Sequence, residues 1–144
     1  MSKPVPHPSE LSAPYWKSLR EGVLSIQRCA GCGAFRHYPR LVCDSCYSFE
    51  VDWVPTSGRG EVYSWTVAHH AFHRGFADDI PYVLAIVALQ EGVRALGRLR
   101  DVAAGDLRIG LAVQLAVEQR EDGWALPAFV PAPGARLEQS AKQG

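Results

Sequence analysis

Four cysteines stand in two pairs, and they are the residues of this sequence whose chemistry is easiest to predict. They are Cys29, Cys32, Cys43 and Cys46. Two residues lie inside each pair and ten separate the pairs. A two-residue gap lets one tight turn present both thiolates, and two such turns facing each other can enclose a tetrahedral ion. The spacing therefore predicts a closed four-thiolate site for a structural metal ion.

Disulfides, a catalytic dithiol and iron are the alternatives to zinc at these cysteines. Disulfides are disfavoured because residues 1–8 lack the apolar core of a signal peptide, so no oxidising compartment is indicated. A catalytic dithiol would need only one pair. Softness and geometry do not separate zinc from a mononuclear iron of the rubredoxin kind, so both stay open, with zinc favoured. Gly31 and Gly33 are expected to give the turns around the sulfurs their conformational freedom.

The composition describes a chain without a strong electrostatic preference. Its 144 residues allow one ordinary domain or two small ones, and 15 basic residues balance 15 acidic ones. A net charge of zero provides no global field for nucleic acid or an acidic membrane. No apolar run approaches the roughly 20 residues that span a bilayer, and the longest, Tyr82–Leu89, fits a buried strand. We therefore expect a soluble cytoplasmic protein with no nucleic-acid or membrane partner.

Residues 1–22 predict an N-terminal arm followed by a short helix. Ser12 is placed to cap this helix, Pro14 is tolerated in its first turn, and Gly22 is placed to end it. The apolar positions of the helix are Tyr15, Trp16 and Leu19. A helix this short is not stable alone, so it must pack on the body of the chain or on a partner.

Residues 23–55 predict a zinc ribbon. A strand over Val23–Arg28 leads into the first cysteine pair. The expected apolar floor of the ribbon is Phe35, Tyr38 and Leu41. Such a floor is too small to fold by itself, so the metal must supply the deficit, on the order of 10 kcal/mol for a structural zinc site.

Residues 56–131 change to a pattern of short strands separated by turn residues. Five strands are predicted, over Glu61–His70, Pro81–Leu89, Val93–Leu99, Ala112–Gln119 and Trp124–Val130. We expect them all to pair antiparallel. Five short strands with a longer connection after the third fit an OB-type Greek-key barrel, with a small β-sandwich as the alternative. The predicted fold class is therefore mainly β: an N-terminal helix and zinc ribbon, then a five-stranded OB-fold barrel. The tail, residues 132–144, has the composition of a disordered segment.

Three histidines, His69, His70 and His73, raise the question of a second metal site. On an extended strand His69 and His73 share a face but lie about 13 Å apart, while His70 points the other way. They would share an ion only after a sharp turn, so a polar strand end and loop is the favoured interpretation. No nucleophile accompanies a histidine acid or base, and phosphate loops, nucleophile elbows and paired-carboxylate motifs are absent. No catalytic residue is assigned.

Basic residues surround the cysteine pairs, and large aromatic residues lie on the predicted helix and first barrel strand. The basic set is Arg28, Arg36, His37 and Arg40. Charge compensation for a four-thiolate centre is favoured over a phosphate grip for a nucleotide-like ligand, because the whole chain is neutral. Trp16 and Trp65 are expected in the core rather than on binding platforms.

These motifs, in this order, resemble one known family from about residue 8 to residue 131. The marks are Tyr15-Trp16 before Gly22, the two cysteine pairs with Gly33 and Pro39-Arg40, Ser57–Thr66, Pro81–Leu89, Glu91–Arg94, Ile109-Gly110 and Leu126–Phe129. The sequence is similar to the domain of unknown function 35 family, in which a rubredoxin-like zinc ribbon precedes an acyl-CoA-associated OB-fold domain. Asp44 stands where the family usually has proline, a departure that leaves the ligands intact.

The resemblance implies a non-catalytic accessory subunit in a hetero-oligomer. Family members look like obligate partners of thiolases, thiolase-like acyltransferases or aldolases, or acyl-CoA hydratases. They stabilise the partner and help to form the channel for coenzyme A or its acyl chain. The four cysteines carry over as structural zinc ligands, the catalytic residues belong to the partner, and no residue is assigned to coenzyme A.

Two competing functions and one interface follow from the same patterns. A nucleic-acid-binding ribbon and OB module predicts a basic stripe with exposed aromatics, which the neutral charge does not favour. An iron-bearing electron carrier predicts a coloured protein. The short helix carrying Trp16 is expected to form part of the interface with the partner subunit.

Overall fold

The structure, a computed structural model, describes residues 3–133. One helix, α1, spans Ala13–Arg20. The strands are β1 Ser25–Cys29, β2 Phe35–Arg36, β3 Val51–Pro55, β4 Arg59–Ala68, β5 Tyr82–Leu89, β6 Arg94–Leu99, β7 Ala112–Leu115, β8 Glu118–Gln119, β9 Ala125–Leu126 and β10 Ala128–Pro131. Short 3₁₀ turns occupy Arg74–Phe76 and Ala104–Asp106. The predicted tail, residues 132–144, lies outside the described residues except for its first two.

Helix α1 begins and ends close to the residues that the sequence indicated. Ser12 is its N-cap, but the Ser12 hydroxyl accepts from the Ser9 backbone N–H at 3.0 Å instead of capping a helical N–H. At the other end Gly22 has a φ of +83°, and its N–H donates to the Leu19 carbonyl at 2.9 Å. Tyr15 and Leu19 are buried in the core of this same chain, which settles where the helix packs.

The ribbon is a three-stranded antiparallel sheet with β1 between β2 and β3. Part of its buried surface is a polar cluster. The side-chain oxygen of buried Gln27 accepts from the Arg36 Nε at 2.6 Å and from the Arg40 backbone N–H at 2.9 Å. Arg36 also donates to the Arg40 carbonyl at 2.9 Å, so the buried guanidinium is held by neutral acceptors.

The prediction of an apolar floor in the ribbon is wrong. The exposed fractions of Phe35, Tyr38 and Leu41 are 39%, 49% and 68%. The apolar burial of this region comes instead from Leu24 and Ile26, which are fully buried. Because these two side chains enter a core shared with α1 and the barrel, the ribbon needs no floor of its own.

Five strands close into a barrel in the order β10-β6-β5-β4-β7, which confirms the predicted five-stranded OB-type architecture. The expectation that all strands pair antiparallel is wrong, since β10 runs parallel to β6. Two predicted strands are also interrupted. The fourth divides into β7 and β8, and the fifth divides at Pro127 into β9 and β10, because proline has no N–H for a ladder. The β8–β9 pair then forms a separate two-stranded sheet.

The parallel contact between β6 and β10 depends on Gly97. A Cβ at this position would lie 2.9 Å from the Phe129 ring and 2.9 Å from the Pro127 carbonyl oxygen. Only glycine therefore lets the two strands approach this closely. Phe129 has the largest of the fully buried side chains.

One core joins the helix, the ribbon and the barrel. Its buried members are Tyr15, Leu19, Leu24, Ile26, Val62, Ala85, Val87, Leu89, Val93, Ala95, Leu99, Leu111, Val113, Ala125 and Phe129. Among the described elements no helix has the length and apolar composition needed to cross a membrane.

Candidate metal centre

The first cysteine turn is built by backbone hydrogen bonds around Cys29. The Cys29 N–H donates to the Ala34 carbonyl at 2.8 Å, and the Cys29 carbonyl accepts from the Gly33 N–H at 2.9 Å. Gly33 has a φ of +78°, so the predicted conformational role of this glycine agrees with the structure. Gly31 acts differently, because its φ is not positive. A Cβ there would lie 3.2 Å from the Ser48 Cβ, so Gly31 permits close approach of the two turns.

The second cysteine turn repeats the first around Cys43. The Cys43 N–H donates to the Ser48 carbonyl at 3.0 Å, and the Cys43 carbonyl accepts from the Tyr47 N–H at 2.9 Å. Tyr47 occupies the position of the glycine in the first turn and has a φ of +61°. A non-glycine residue in this region costs about 1–2 kcal/mol. The residue type gives no sign of this conformation; the signal in the sequence is that Tyr47 stands four residues after Cys43, as Gly33 does after Cys29.

The two turns bring all four cysteine sulfurs together. Cys29 Sγ lies 3.5 Å from Cys46 Sγ, Cys32 Sγ lies 3.6 Å from Cys43 Sγ, and all four atoms lie within 4.8 Å of one another. A tetrahedral zinc ion with Zn–S bonds of about 2.3 Å needs sulfurs roughly 3.8 Å apart. The four sulfurs therefore fit the ion that the pair spacing predicts.

Backbone donors prepare the sulfurs for a cation. The Cys32 backbone N–H lowers the pKa of the Cys29 thiol to about 6, and the backbone N–H groups of Cys46 and Ser45 lower the pKa of the Cys43 thiol. The Ser48 N–H favours the Cys46 thiolate, but the adjacent Cys29 sulfur and burial raise the pKa of Cys46 to about 12. Sulfurs this close resist full ionisation, and a divalent ion between them would relieve that repulsion.

The basic residues near the cysteines do not converge on one site. Arg28 stacks on the Phe35 ring at 5.5 Å and donates to the Gly33 carbonyl, whereas Arg36 is buried in the ribbon interior. Arg40 forms an exposed ion pair with Asp44 at 3.5 Å. The hydrogen bonds that Arg28, Arg36 and Arg40 donate within the described residues all go to oxygen atoms. Each of these arginines is engaged with a different group, which argues against a shared phosphate grip.

His37 is separated from the other basic residues by its aromatic surroundings. Its ring lies 5.3 Å from the Tyr15 ring and 4.0 Å from the Tyr38 ring, and neither ring nitrogen has a hydrogen-bond partner. Burial lowers the pKa of His37 to about 4, so the imidazole is neutral near pH 7.

The three candidate histidines lie around the exposed loop that follows β4. His70 packs edge-on against Phe72, with ring centroids 4.6 Å apart, and His73 Nδ1 accepts from the Gly75 N–H at 2.9 Å. Over the described range, the four cysteines form the only group of three or more metal-binding side chains close enough to share an ion. The interpretation of His69, His70 and His73 as a polar strand end and loop therefore agrees with the structure.

The prediction that Trp65 is a core residue is wrong. A β-bulge between Val62 and Ser64 disturbs the alternation of β4, and Trp65 is 38% exposed. Tyr63, at the bulge, is exposed as well, and the Arg94 guanidinium stacks on its ring at 3.8 Å.

The prediction for Trp16 agrees better with the structure. Trp16 packs against the core and meets the Trp124 ring edge-on, with centroids 6.1 Å apart.

The ribbon and the barrel each match a known protein-family model. Residues 16–52 match the family model for a "ChsH2, rubredoxin-like zinc ribbon domain", and residues 53–118 match the model for a "ChsH2, C-terminal OB-fold domain". Over 111 residues the chain is 34% identical to a DUF35 domain-containing scaffold protein of Methanocaldococcus jannaschii, an alignment that covers 75% of this chain and 78% of the relative. The chain belongs to the DUF35 family.

Other DUF35 relatives occur as parts of larger proteins or assemblies. A probable enoyl-CoA hydratase alpha subunit of Thermomonospora curvata is 38% identical over 130 residues, covering 90% of this chain. The DUF35 chain spans only 40% of that relative's length. A solved structure titled "Ltp2-ChsH2(DUF35) aldolase" contains a chain that is 38% identical, with a TM-score of 0.82 over 90% of this chain and all of that one. These matches confirm the predicted family and the ribbon-plus-OB fold.

Proposed function

We propose that this DUF35 chain is a non-catalytic accessory subunit that holds one structural zinc ion, stabilises a thiolase-like or hydratase-like partner and helps to form the partner's acyl-CoA channel. The closed sulfur cage carries the proposal. Four protein sulfurs would fill every position of a tetrahedral ion, which would leave no position for substrate or water. Cys29, Cys32, Cys43 and Cys46 are the proposed ligands.

The rest of the described chain suits an accessory role rather than a catalytic one. In residues 3–133 no serine, threonine or cysteine side chain hydrogen-bonds a histidine, so the usual pairing of nucleophile and base is missing there. The relatives named above are a scaffold protein, a hydratase subunit and an aldolase assembly. We assign the chemistry to the partner, and coenzyme A or an acyl-CoA to a site that the partner shares.

Helix α1 contributes less to the proposed partner interface than the sequence indicated. Tyr15 and Leu19 are used by the chain's own core, and Trp16 faces Trp124. Lys17 and Arg20 remain on the exposed side, and the Arg20 guanidinium stacks on the Trp124 ring at 4.6 Å. The helix therefore presents mainly cationic groups to a partner.

A better candidate for the interface is the outer barrel surface around the β4 bulge. Tyr38, Tyr63 and Leu96 are all nearly half exposed, and the Tyr38 hydroxyl accepts from the Leu96 backbone N–H at 3.0 Å. Arg94 stacks on Tyr63 and has no ion pair within the described residues. Tyrosine and arginine are among the residues most enriched in binding hot spots. An exposed arginine without an ion pair can bind a carboxylate of the partner.

Co-expression tests this proposal. The chain is produced with and without a thiolase-like or hydratase-like subunit from the same genome, and joint elution, zinc content and thioester turnover are measured. We expect one zinc per chain, co-elution, and activity only in the complex. Turnover of a thioester by the isolated chain, or a coloured iron-containing protein, would refute it.

A further inference from the structure

An apolar groove lies on the outer face of β5 and β6. In OB barrels the second and third strands, with the loops after the first and fourth strands, form the usual ligand face. Here those elements are β5, β6, the loop after β4 and the β8–β9 segment. The groove encloses about 240 Å³, and its apolar lining is Phe76, Tyr82, Leu84, Leu96, Leu126 and Pro127.

The N-terminal arm, residues 3–8, is fastened at the edge of this groove. The Lys3 ammonium forms an ion pair with Asp79 at 2.7 Å and lies 5.6 Å from the centre of the Phe76 ring. Arg120 donates to the Pro4 carbonyl at 3.1 Å and to the Lys3 carbonyl at 3.4 Å. The arm has no regular secondary structure, so a few polar contacts at its start hold it.

The charges at the groove are already paired with one another. Arg98 contacts Asp79 at 3.2 Å and Glu118 at 3.5 Å, and Arg120 contacts Asp122 at 2.6 Å. Each of the cations that line the groove therefore has a carboxylate partner, and a phosphate group would have to compete with it. The same face that binds oligonucleotides in other OB folds here offers an apolar floor and a neutralised rim.

The arm takes up part of the groove, because Lys3 is one of the residues that line it. Sites for small ligands usually enclose about 300–1,000 Å³, more than the volume available with Lys3 in place. Moving the arm away would leave the walls of the groove intact, because those walls belong to the barrel and its loops. The barrel supplies the site, and the arm sets how much of it is open.

We propose that residues 3–8 are a displaceable strap over an apolar binding groove, and that the groove accepts an uncharged hydrocarbon chain. This inference rests on the proposed function, since the acyl chain of an acyl-CoA is a ligand of that class. The strap has a regulatory role in this scheme, because the groove opens when the ion pair between Lys3 and Asp79 is broken.

Nile red, a neutral apolar dye, tests the strap in the isolated 144-residue chain, so a failure here leaves the partner assay untouched. Lys3→Ala removes one partially exposed ion pair, and we expect about three- to fivefold tighter dye binding. Deletion of residues 1–8 should increase the affinity further. Lys17→Ala, which removes an exposed lysine on α1, is the matched control and should leave the affinity unchanged.

Two further measurements keep the result specific. Leu84→Trp fills the groove and should abolish the gain from Lys3→Ala, with an unchanged melting temperature showing that the barrel is folded. Raising the salt concentration should tighten dye binding in the unmodified chain but not in Lys3→Ala, because salt screens the ion pair. Equal affinity in the unmodified chain, Lys3→Ala and the deletion would overturn the strap. Unchanged binding in Leu84→Trp would overturn the groove.

Discussion

Removing one sulfur from the cage should unfold the barrel as well as the ribbon. The change is Cys43→Ser, which replaces a buried, proposed zinc ligand with a hydroxyl that binds zinc poorly. A structural zinc site contributes on the order of 10 kcal/mol to folding, close to the whole stability of a small domain, about 5–15 kcal/mol. The ribbon turns would therefore lose their order without the ion.

Disorder in the ribbon would also destabilise the barrel, because the two share one core. Tyr15, Leu19, Leu24 and Ile26 are buried among barrel side chains, and three of them are fully buried. Burying such a side chain contributes about 1.5–3 kcal/mol, so the four together contribute about 6–12 kcal/mol. A barrel that loses this packing has little stability left. We expect one cooperative unfolding transition for the whole chain. Cys43→Ser or a chelator should strongly lower its melting temperature.

Thermal unfolding followed by circular dichroism and tryptophan fluorescence measures this coupling. Trp124 reports on the contact between the β8–β9 hairpin and α1, because its ring meets Trp16. Ser45→Ala is the matched control: it changes an exposed residue of the same turn and keeps the N–H that donates to Cys43 Sγ at 3.4 Å. A barrel transition that stays in place after zinc removal would show that ribbon and barrel fold independently and would refute this reasoning.

Three further predictions follow from individual contacts. Gly97→Ala places a methyl group 2.9 Å from the Phe129 ring and should lower the free energy of unfolding by about 1–3 kcal/mol in urea titrations; full stability would contradict it. Because the folded pKa of His37 is about 4, below its ordinary value of 6.5, the unfolded chain binds the proton first and stability falls as the pH drops from about 6.5 to 4. His37→Phe should remove that part of the pH dependence, and an unchanged difference between pH 7 and pH 5 would contradict it. Arg94→Ala should weaken partner binding by about 2 kcal/mol, roughly thirtyfold, while Arg59→Ala, an exposed arginine at the start of β4, should not; equal affinities in titration calorimetry would exclude the outer barrel surface.

The cage could be predicted from sequence because its geometry is local. Each cysteine pair closes within one turn, so the identity and spacing of the residues are enough to indicate which four sulfurs converge. The positive φ at Gly33 could be predicted for the same reason, because glycine next to a cysteine pair indicates a tight turn. That of Tyr47 could not be predicted from the residue type, because nothing in a tyrosine indicates a positive φ; only the repetition of the first turn in the second could have indicated it.

Which side chains are buried was harder to predict than where the strands lie. The β4 pattern identified a strand correctly, but it indicated neither the bulge between Val62 and Ser64 nor the exposure of Trp65. The sequence pattern suggested that Phe35, Tyr38 and Leu41 form an apolar floor within the ribbon. Such a floor would need packing partners from the ribbon itself, and these three side chains are exposed instead. The actual partners of the ribbon's buried side chains lie in α1 and the barrel, outside the segment in which a local pattern could have shown them.

The N-terminal arm shows why function depended on contacts that sequence patterns do not contain. The proline-rich composition of this segment indicates no partner for it, and no pattern links Lys3 to Asp79 across more than seventy residues. In the proposed scheme that ion pair nevertheless decides how much of the OB ligand face is open. A groove with a neutralised rim and an apolar floor suits a hydrocarbon ligand better than a polyanion. The overall charge balance of the chain is therefore repeated locally at the groove, where each lining cation forms an ion pair with a carboxylate.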